Sequence, residues 1–330
     1  MKIFLFFLSL LFWGCSDSPQ NSLTVYVSED QVFSESLLKD FEKETGITIN
    51  AIYDTEESKS TGVMNRLIAE KNHPQADVYW ANEPIRAEVL RQKGILTPYQ
   101  SPHAHGIDAI FKDKNHYWTG FSARIRVIIV NRDANLYPSS IWDYTNPKYR
   151  GKSVLANPLF GTTTAHISAL FSVLGDVKGR AFLEQLKSNG VAISTSNGES
   201  ADFVASGTYA FSLVDSDDAV ARLRQGRAIE IVYPDQKEDE VGIFVVPNAV
   251  MMIKGSPHPR LAQKLIDYLL SKESEKKLAF ADCAQIPLHK GVPMLKELKP
   301  MSEIKVMKVD YAEVAQKMLE IQGYLKEWGR

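Results

Sequence analysis

"LTVYVSEDQVFSESLLKDFEKETGITINAIY", residues 23–53, decides the fold. Its first five residues alternate and are rich in β-formers, which predicts a strand over Leu23–Val27. Phe33, Leu37, Leu38 and Phe41 follow at the spacing of one helix face, and Gly46 stops that helix. "ITINAIY" (Ile47–Tyr53) predicts a second strand. The pattern then repeats: a helix in "VMNRLIAEK", a strand in "ADVYW" (Ala76–Trp80), and a helix in "EPIRAEVLRQKG" ending at Gly94. Strands alternating with helices imply an α/β chain with a mainly parallel sheet. Ligands of such sheets sit beyond the carboxyl ends of the strands. The loops there are Ser28–Gln31, Asp54–Gly62 and Ala81–Pro84.

The second half continues in kind. "ARIRVIIVNRD" (Ala123–Asp133) is a long apolar strand suited to crossing between lobes. "NPKYRGKSVLANPLFGTTTAHISALFSVLG" reads as strand, Gly-Thr turn and helix. "RAFLEQLKSNG" is a helix, "VAIS" and "YAFSLV" are strands with "ADFVASG" between them, and "AVARLRQG" is a helix. "GIFVVPNAVMMIKG" is either a strand pair or one crossing strand. "PRLAQKLIDYLLSKESEKKLAF" is one or two helices, and "DYAEVAQKMLEIQGYLKEW" has the helical spacing of a packed tail.

At 330 residues, 44% hydrophobic and 24% charged, the chain suits one large or two modest globular domains. A net charge of −2 and the lack of a basic run with interleaved aromatics argue against a nucleic-acid partner. Lys2 precedes an apolar run, Ile3–Trp13. A bilayer span needs about 18 residues or more, so this run reads as the core of a signal peptide. Gly14 directly before Cys15 resembles a bacterial lipoprotein cleavage site, with lipidation at Cys15. Residues 15–22 suit a flexible tether. Cys283 is then the one cysteine left, which excludes an internal disulfide, and its apolar surroundings predict a buried thiol.

"LTVYVSEDQ…FEKETGITI", "ADVYWANE", "NPKYRGK" and "IKGSPHPRLAQKLIDYLLSKESEKKLA", in that order, resemble the periplasmic substrate-binding proteins of bacterial ABC importers, in particular the ferric-iron-binding group. The resemblance covers about residues 23–325 and implies a type II periplasmic binding protein (Venus flytrap) fold with two α/β lobes. It implies a first lobe of residues 23–122 with 250–330, a second of 123–249, and a ligand cleft between them. It also implies a transport role rather than an enzyme, a cognate permease and ATPase as partners, and a monomer anchored at Cys15 on the periplasmic side. No cofactor is implied; iron(III) with a synergistic anion would be cargo. Iron binders hold the metal with a histidine, a glutamate and a tyrosine pair. Those positions fall here on Asp30, on Asn82 or Glu83, and on Asp217 and Asp218.

"LVDSDDAV" (Leu213–Val220) carries three carboxylates in four residues at a predicted strand end. Asp215 or Ser216 is a natural helix cap. Asp217 and Asp218 then offer hard oxygen donors for a cation, with Asp30 and Glu83, or acceptors for sugar hydroxyls or an amine. The residues alone leave these open. Gly161, Thr162 and Thr163 open a helix, where backbone N–H groups and hydroxyls favour an anion. Ser60 and Thr61 in "SKSTG" form a parallel case in the first lobe. Arg124 and Arg126 occupy positions where the family has arginines near the cleft; Arg126 suits bidentate recognition of a carboxylate or phosphate, or a structural ion pair between strands. The ligand is therefore iron(III), or a phosphorylated sugar, a phosphonate or another organic anion. An exported hydrolase is the remaining alternative, and no Gly-x-Ser-x-Gly elbow or P-loop supports it.

Overall fold

A computed structural model describes residues 21–54 and 61–329. The leader, Cys15 and Ser60 lie outside the described residues. The first elements are β1 (Ser22–Val27), α1 (Gln31–Thr45), β2 (Thr48–Tyr53), α2 (Thr61–Ala69), β3 (Val78–Ala81), α3 (Pro84–Gln92) and β4 (Leu96–Thr97). Next come β5 (Thr119–Asn131), β6 (Ser153–Ala156), α4 (Gly161–Leu174), α5 (Asp176–Ser188), β7 (Ala192–Ser194) and α6 (Asn197–Ala205). The chain ends with β8 (Phe211–Asp215), α7 (Ser216–Arg224), β9 (Ile229–Val232), β10 (Val245–Ile253), α8 (Pro259–Leu269), α9 (Lys272–Phe280) and α10 (Tyr311–Trp328).

The opening stretch folds as its pattern predicts. Leu37, Leu38 and Phe41 of α1 are buried, and Gly46 takes a left-handed φ of 69° that a side chain would resist. The strands run in the order β2-β1-β3-β10-β5-β8-β6-β7, with β4 on β10 and β9 on β5. β1 pairs in parallel with β2 and β3, and β6 in parallel with β7 and β8. The two parallel groups are joined through antiparallel β5 and β10.

β5 belongs to both groups. Thr119–Ile125 pair with β10, whereas Arg126–Val130 pair with β8, and Ile128–Asn131 also pair with β9. Twelve of its positions are buried, and Arg124 alone is half-buried. "GIFVVPNAVMMIKG" resolves into one strand, β10, buried along its whole length, with a register shift between Pro247 and Asn248. The run from Pro259 resolves into two helices, because the Ser271 hydroxyl caps α9 by accepting from the Ser274 N–H. Three elements do not show in the sequence pattern. β4 is only two residues long. α6 starts at Asn197, before the apolar run that marks it, and β9 is a short half-exposed strand.

Glu275 fixes the crossing region from below. This fully buried carboxylate accepts hydrogen bonds from the N–H groups of Ser122 (2.8 Å), Leu288 (2.9 Å) and His289 (3.0 Å). His289 Nδ1 meets it at 2.9 Å and Nε2 meets the His103 carbonyl at 2.9 Å. Although burial opposes the charge, these two acceptors raise the imidazole pKa. Ser122, held at a φ of 38°, is thereby pinned in a strained conformation at the start of the crossing.

α10 does not stay with the first parallel group. It packs on α3 and on α4. It also bonds to α5 and its flank: Lys317 to Asp176 (3.0 Å), Tyr324 to Glu184 (3.0 Å) and the Trp328 indole N–H to the Leu183 carbonyl (3.1 Å). Tyr311 at its start donates to the carbonyl of Val245 on β10 at 2.7 Å.

His166, on α4, is 2% exposed and stacks on Phe244 with ring centroids 5.4 Å apart. Neither ring nitrogen has a hydrogen-bond partner among the described residues. Burial, reinforced by the Arg126 charge, holds its pKa well below the ordinary 6.5. The folded pKa is thus lower than the unfolded one, so the unfolded chain binds the extra proton first. The stability that neutral His166 contributes above pH 6.5 is lost as pH falls below that value, at up to about 1.4 kcal/mol per pH unit. His289 works with the opposite sign: its contribution is present in acid and lost as pH rises through its raised pKa. Melting curves from pH 7 to pH 5 should therefore fall less steeply for His166→Leu than for the parent protein; parallel curves would refute the burial argument.

Candidate functional site

The carboxyl ends of three parallel strands, β6, β7 and β8, lead into α4, α6 and α7. Three helix N-termini therefore start at one edge, and their first residues meet. The strands' common direction imposes this convergence, and it places three positive dipole ends together.

The centre is an ion pair. Arg126 and Asp215 are cross-strand partners in the β5–β8 register, and their side chains meet at 2.8 Å. Arg126 is fully buried. It also donates to the Thr162 hydroxyl (3.0 Å), the Thr163 hydroxyl (3.1 Å) and the Leu213 carbonyl (3.2 Å). Thr162 donates onward to Asp215 Oδ2 (2.7 Å), and Thr163 to Asn197 Oδ1 (3.2 Å). The Asn197 amide donates to Thr162 (2.8 Å) and Asp215 (3.3 Å). Burial alone would raise the Asp215 pKa, but the charges of Arg126 and Arg124 and these hydrogen bonds outweigh it and hold the carboxyl below its usual range.

This network decides one reading left open and corrects two expectations. Arg126 holds Asp215 and the two threonines, so the structural ion pair is what the strands build. The hydroxyls of Thr162 and Thr163 are committed to that pair; what α4 leaves for an anion is the backbone N–H end at Gly161, where Phe160 provides no side-chain cap. Asp215 stands at the N-cap of α7 without capping it, and the Ser216 hydroxyl instead accepts from the Ile125 N–H (3.2 Å).

Asp217 and Asp218 follow in the first turn of α7. One carboxylate oxygen from each of Asp215, Asp217 and Asp218 lies within 4.8 Å of the others. Asp217 Oδ1 is buried with no hydrogen-bond partner among the described residues. Burial pushes the Asp217 carboxyl up to about 6, Asp215 adding to the shift and Arg124 opposing it. Burial and then the charges of Asp217 and Asp215 push Asp218 up to about 8, with Arg222 opposing. Crowded carboxyls of this kind mark sites where a bound positive charge is stabilising. Asp30 and Glu83, expected beside them, are not part of the trio. Glu83 caps α3, accepting from the N–H groups of Ile85 (2.5 Å) and Arg86 (3.1 Å), and pairs with the Arg86 side chain. Asp30 is exposed at the start of α1. Thr61 opens α2.

The opposite wall comes from the first parallel group. Arg124 lies two residues from Arg126 on the same face of β5 and donates to the Asn82 carbonyl at 2.6 Å. Glu29, Asp217, Asp215 and Asp30 all act on its charge, from both sides of the crossing. Glu29, the residue before the one expected, is the buried carboxylate there. Gln285 donates to it (3.2 Å), Asn248 holds Gln285 (2.7 Å), and Trp80 donates to Asn248 (3.0 Å). Across the mouth, Arg224 of α7 meets Asp282 at 3.0 Å. Cys283 beside it is buried, as its surroundings predicted, and burial pushes its thiol pKa up.

A site walled by two α/β groups that share crossing strands defines a two-lobed solute-binding protein. The family model for bacterial extracellular solute-binding proteins matches residues 36–306, and the chain belongs to that family. Over 266 residues it is 25% identical to a Salmonella typhimurium protein named "Putative 2-aminoethylphosphonate-binding periplasmic protein", spanning 80% of this chain and 74% of that one. Apo ferric ion-binding protein A of Pasteurella haemolytica superposes with a TM-score of 0.82 at 24% identity, over 93% of this chain and 98% of that one. The periplasmic binding protein AfuA of Actinobacillus pleuropneumoniae, with exogenous fructose-6-phosphate bound, gives 0.76 at 22% identity, over 92% and 98%. The expected fold and solute-binding role hold, and these relatives are named as binding proteins rather than enzymes.

Proposed function

We propose that this protein delivers a small organic ligand carrying both an ammonium and an anionic group to an ABC importer, an aminophosphonate being the type. The carrying observation is the crowded pair Asp217 and Asp218, with a buried unpartnered oxygen, beside the uncapped start of α4. The ammonium sits between the two carboxyls, where each N–H···O contact is charge-assisted. The phosphonate lies at the Gly161–Thr163 backbone, at the positive end of α4. The name of the Salmonella relative supports this pairing of groups. Glu29, Arg124 and the Asn82 segment face the ligand from the other wall, so binding favours a closed arrangement of the lobes 23–122 with 250–330 and 123–249, with α10 of the first lobe lying across onto the second. The protein acts as a monomer tethered through lipidated Cys15 on the periplasmic side, and it releases its ligand unchanged.

The acid trio also supports a second ligand, iron(III) with a synergistic anion, held by Asp217 and Asp218 beside Asp215. A thermal-shift series separates the two readings, because a ligand bound only by the folded state raises the melting temperature. With 2-aminoethylphosphonate and chelator present, a shift of several degrees is expected. A shift with iron(III) citrate alone would replace the organic reading with the metal one.

A further inference from the structure

Behind the acidic pair stands Arg222, one helical turn beyond Asp218 on α7. Its side chain is 13% exposed. Two acceptors anchor the guanidinium from outside the cleft: the Asp202 carboxylate, at 3.0 Å from Nε and 2.9 Å from Nη2, and the Gly198 carbonyl at 2.8 Å. Nη1 then reaches Asp218 Oδ1 at 3.4 Å. Asp202 is largely solvated, at 66% exposure, so its charge is screened by water. The charge of Arg222 is fixed toward the cleft.

Formal charges show what this does. Arg126 cancels Asp215. On the other wall the charges of Arg124 and Glu29 offset each other. With a cation bound, Asp217 and Asp218 are both ionised and contribute two negative charges, and Arg222 returns one positive charge, so the pocket presents about one net negative charge to that ligand. That matches a single ammonium. A multivalent cation would need several free oxygens, yet both oxygens of Asp215 are occupied by Arg126, Thr162 and Asn197. One oxygen of Asp218 faces Arg222. Asp217 alone of the trio has no arginine on its carboxylate among the described ion pairs.

We infer that Arg222 is a positioning residue that sets ligand class: by holding Asp218, it tunes the cleft to a singly charged ammonium and against a multivalent metal ion. This rests on the ligand reading above. Removing it leaves two uncompensated carboxylates and frees an oxygen donor, which hard cations prefer.

The test titrates purified parent protein, Arg222→Gln and Arg222→Lys by calorimetry with 2-aminoethylphosphonate and, separately, with gadolinium(III) chloride. For Arg222→Gln, the ratio of gadolinium affinity to aminophosphonate affinity should rise at least tenfold. Arg222→Lys keeps the charge and should restore most of the parent ratio. An unchanged ratio in Arg222→Gln overturns the inference. So does an Arg222→Lys ratio equal to that of Arg222→Gln, because the lysine keeps the charge on which the inference turns. Should Arg222→Gln fail to fold, an Arg222→Lys ratio that departs from the parent ratio overturns the inference. No heat from 2-aminoethylphosphonate with the parent protein overturns the ligand reading itself, and the gadolinium arm still judges the role of Arg222.

Discussion

Arg126→Ala lowers the unfolding free energy by about 3–5 kcal/mol, the cost of leaving one partner of a buried ion pair uncompensated. Asp215 would then be buried beside Thr162 and Asn197 with no cation in contact, and the Leu213 carbonyl and Thr163 hydroxyl would lose their donor. In a chain this large, that corresponds to a melting-temperature drop of roughly 5–15 °C. Arg126→Lys recovers little, because an ammonium cannot reproduce a planar fork shared among four acceptors. The double variant Arg126→Met with Asp215→Leu should recover much of the loss, since apolar replacement of a buried pair is often neutral or better. Urea unfolding of the three variants checks this. A loss below about 1 kcal/mol in Arg126→Ala would mean that the pair is solvated and not the centre of the site.

Asp217→Asn with Asp218→Asn has the opposite effect on stability and the largest effect on binding. With an ammonium between them as proposed, removing the two carboxylates costs about 2–5 kcal/mol of binding, or roughly thirtyfold to several-thousandfold in affinity. The ligand-free protein should nevertheless become more stable at neutral and alkaline pH. Both carboxyls have folded pKa values above their ordinary 3.8, about 6 and about 8. Their favourable contribution is therefore present in acid and is lost as pH rises through those values. Asparagine cannot ionise, so the loss disappears. Melting temperature against pH, with and without ligand, reads both effects. A variant that is less stable than the parent at pH 8 and still binds would place the ligand elsewhere.

The opening strand–helix–strand was legible because its signals are local: alternation in β1, helical spacing in α1, and a glycine where φ turns positive. The long run from Ala123 was legible as a crossing strand for the same reason. The roles at the site were less so. Asp215 offered a natural cap, but its partner lies 89 residues away in sequence on β5, and nothing local announces a register that sets the two opposite each other. Glu83 showed the reverse: Glu-Pro before an apolar run is helix-start chemistry, and the carboxylate serves it. Asn197 was missed, although Ser196 and Glu199 around it carry the spacing that opens a helix. Arg222 carried a readable cue, an arginine four residues after an aspartate on a helix. Glu29 carried none, because the Trp80–Asn248–Gln285 chain that fixes it is assembled from three separate segments.

The C-terminal helix α10 has a mechanical consequence. It is fastened to α5 by Lys317, Tyr324 and Trp328, and it leans on α3 at the same time. The proposed rotation of the two halves about β5 and β10 would load it, as a leaf spring is loaded when its two mounts turn. On the proposed closure, the stiffness against which a ligand works is therefore stored on the outside of the molecule and not in the carboxylates proposed to bind it. An environment-sensitive dye at Leu319, which is 55% exposed on that helix, would register the strain of a ligand that it never touches.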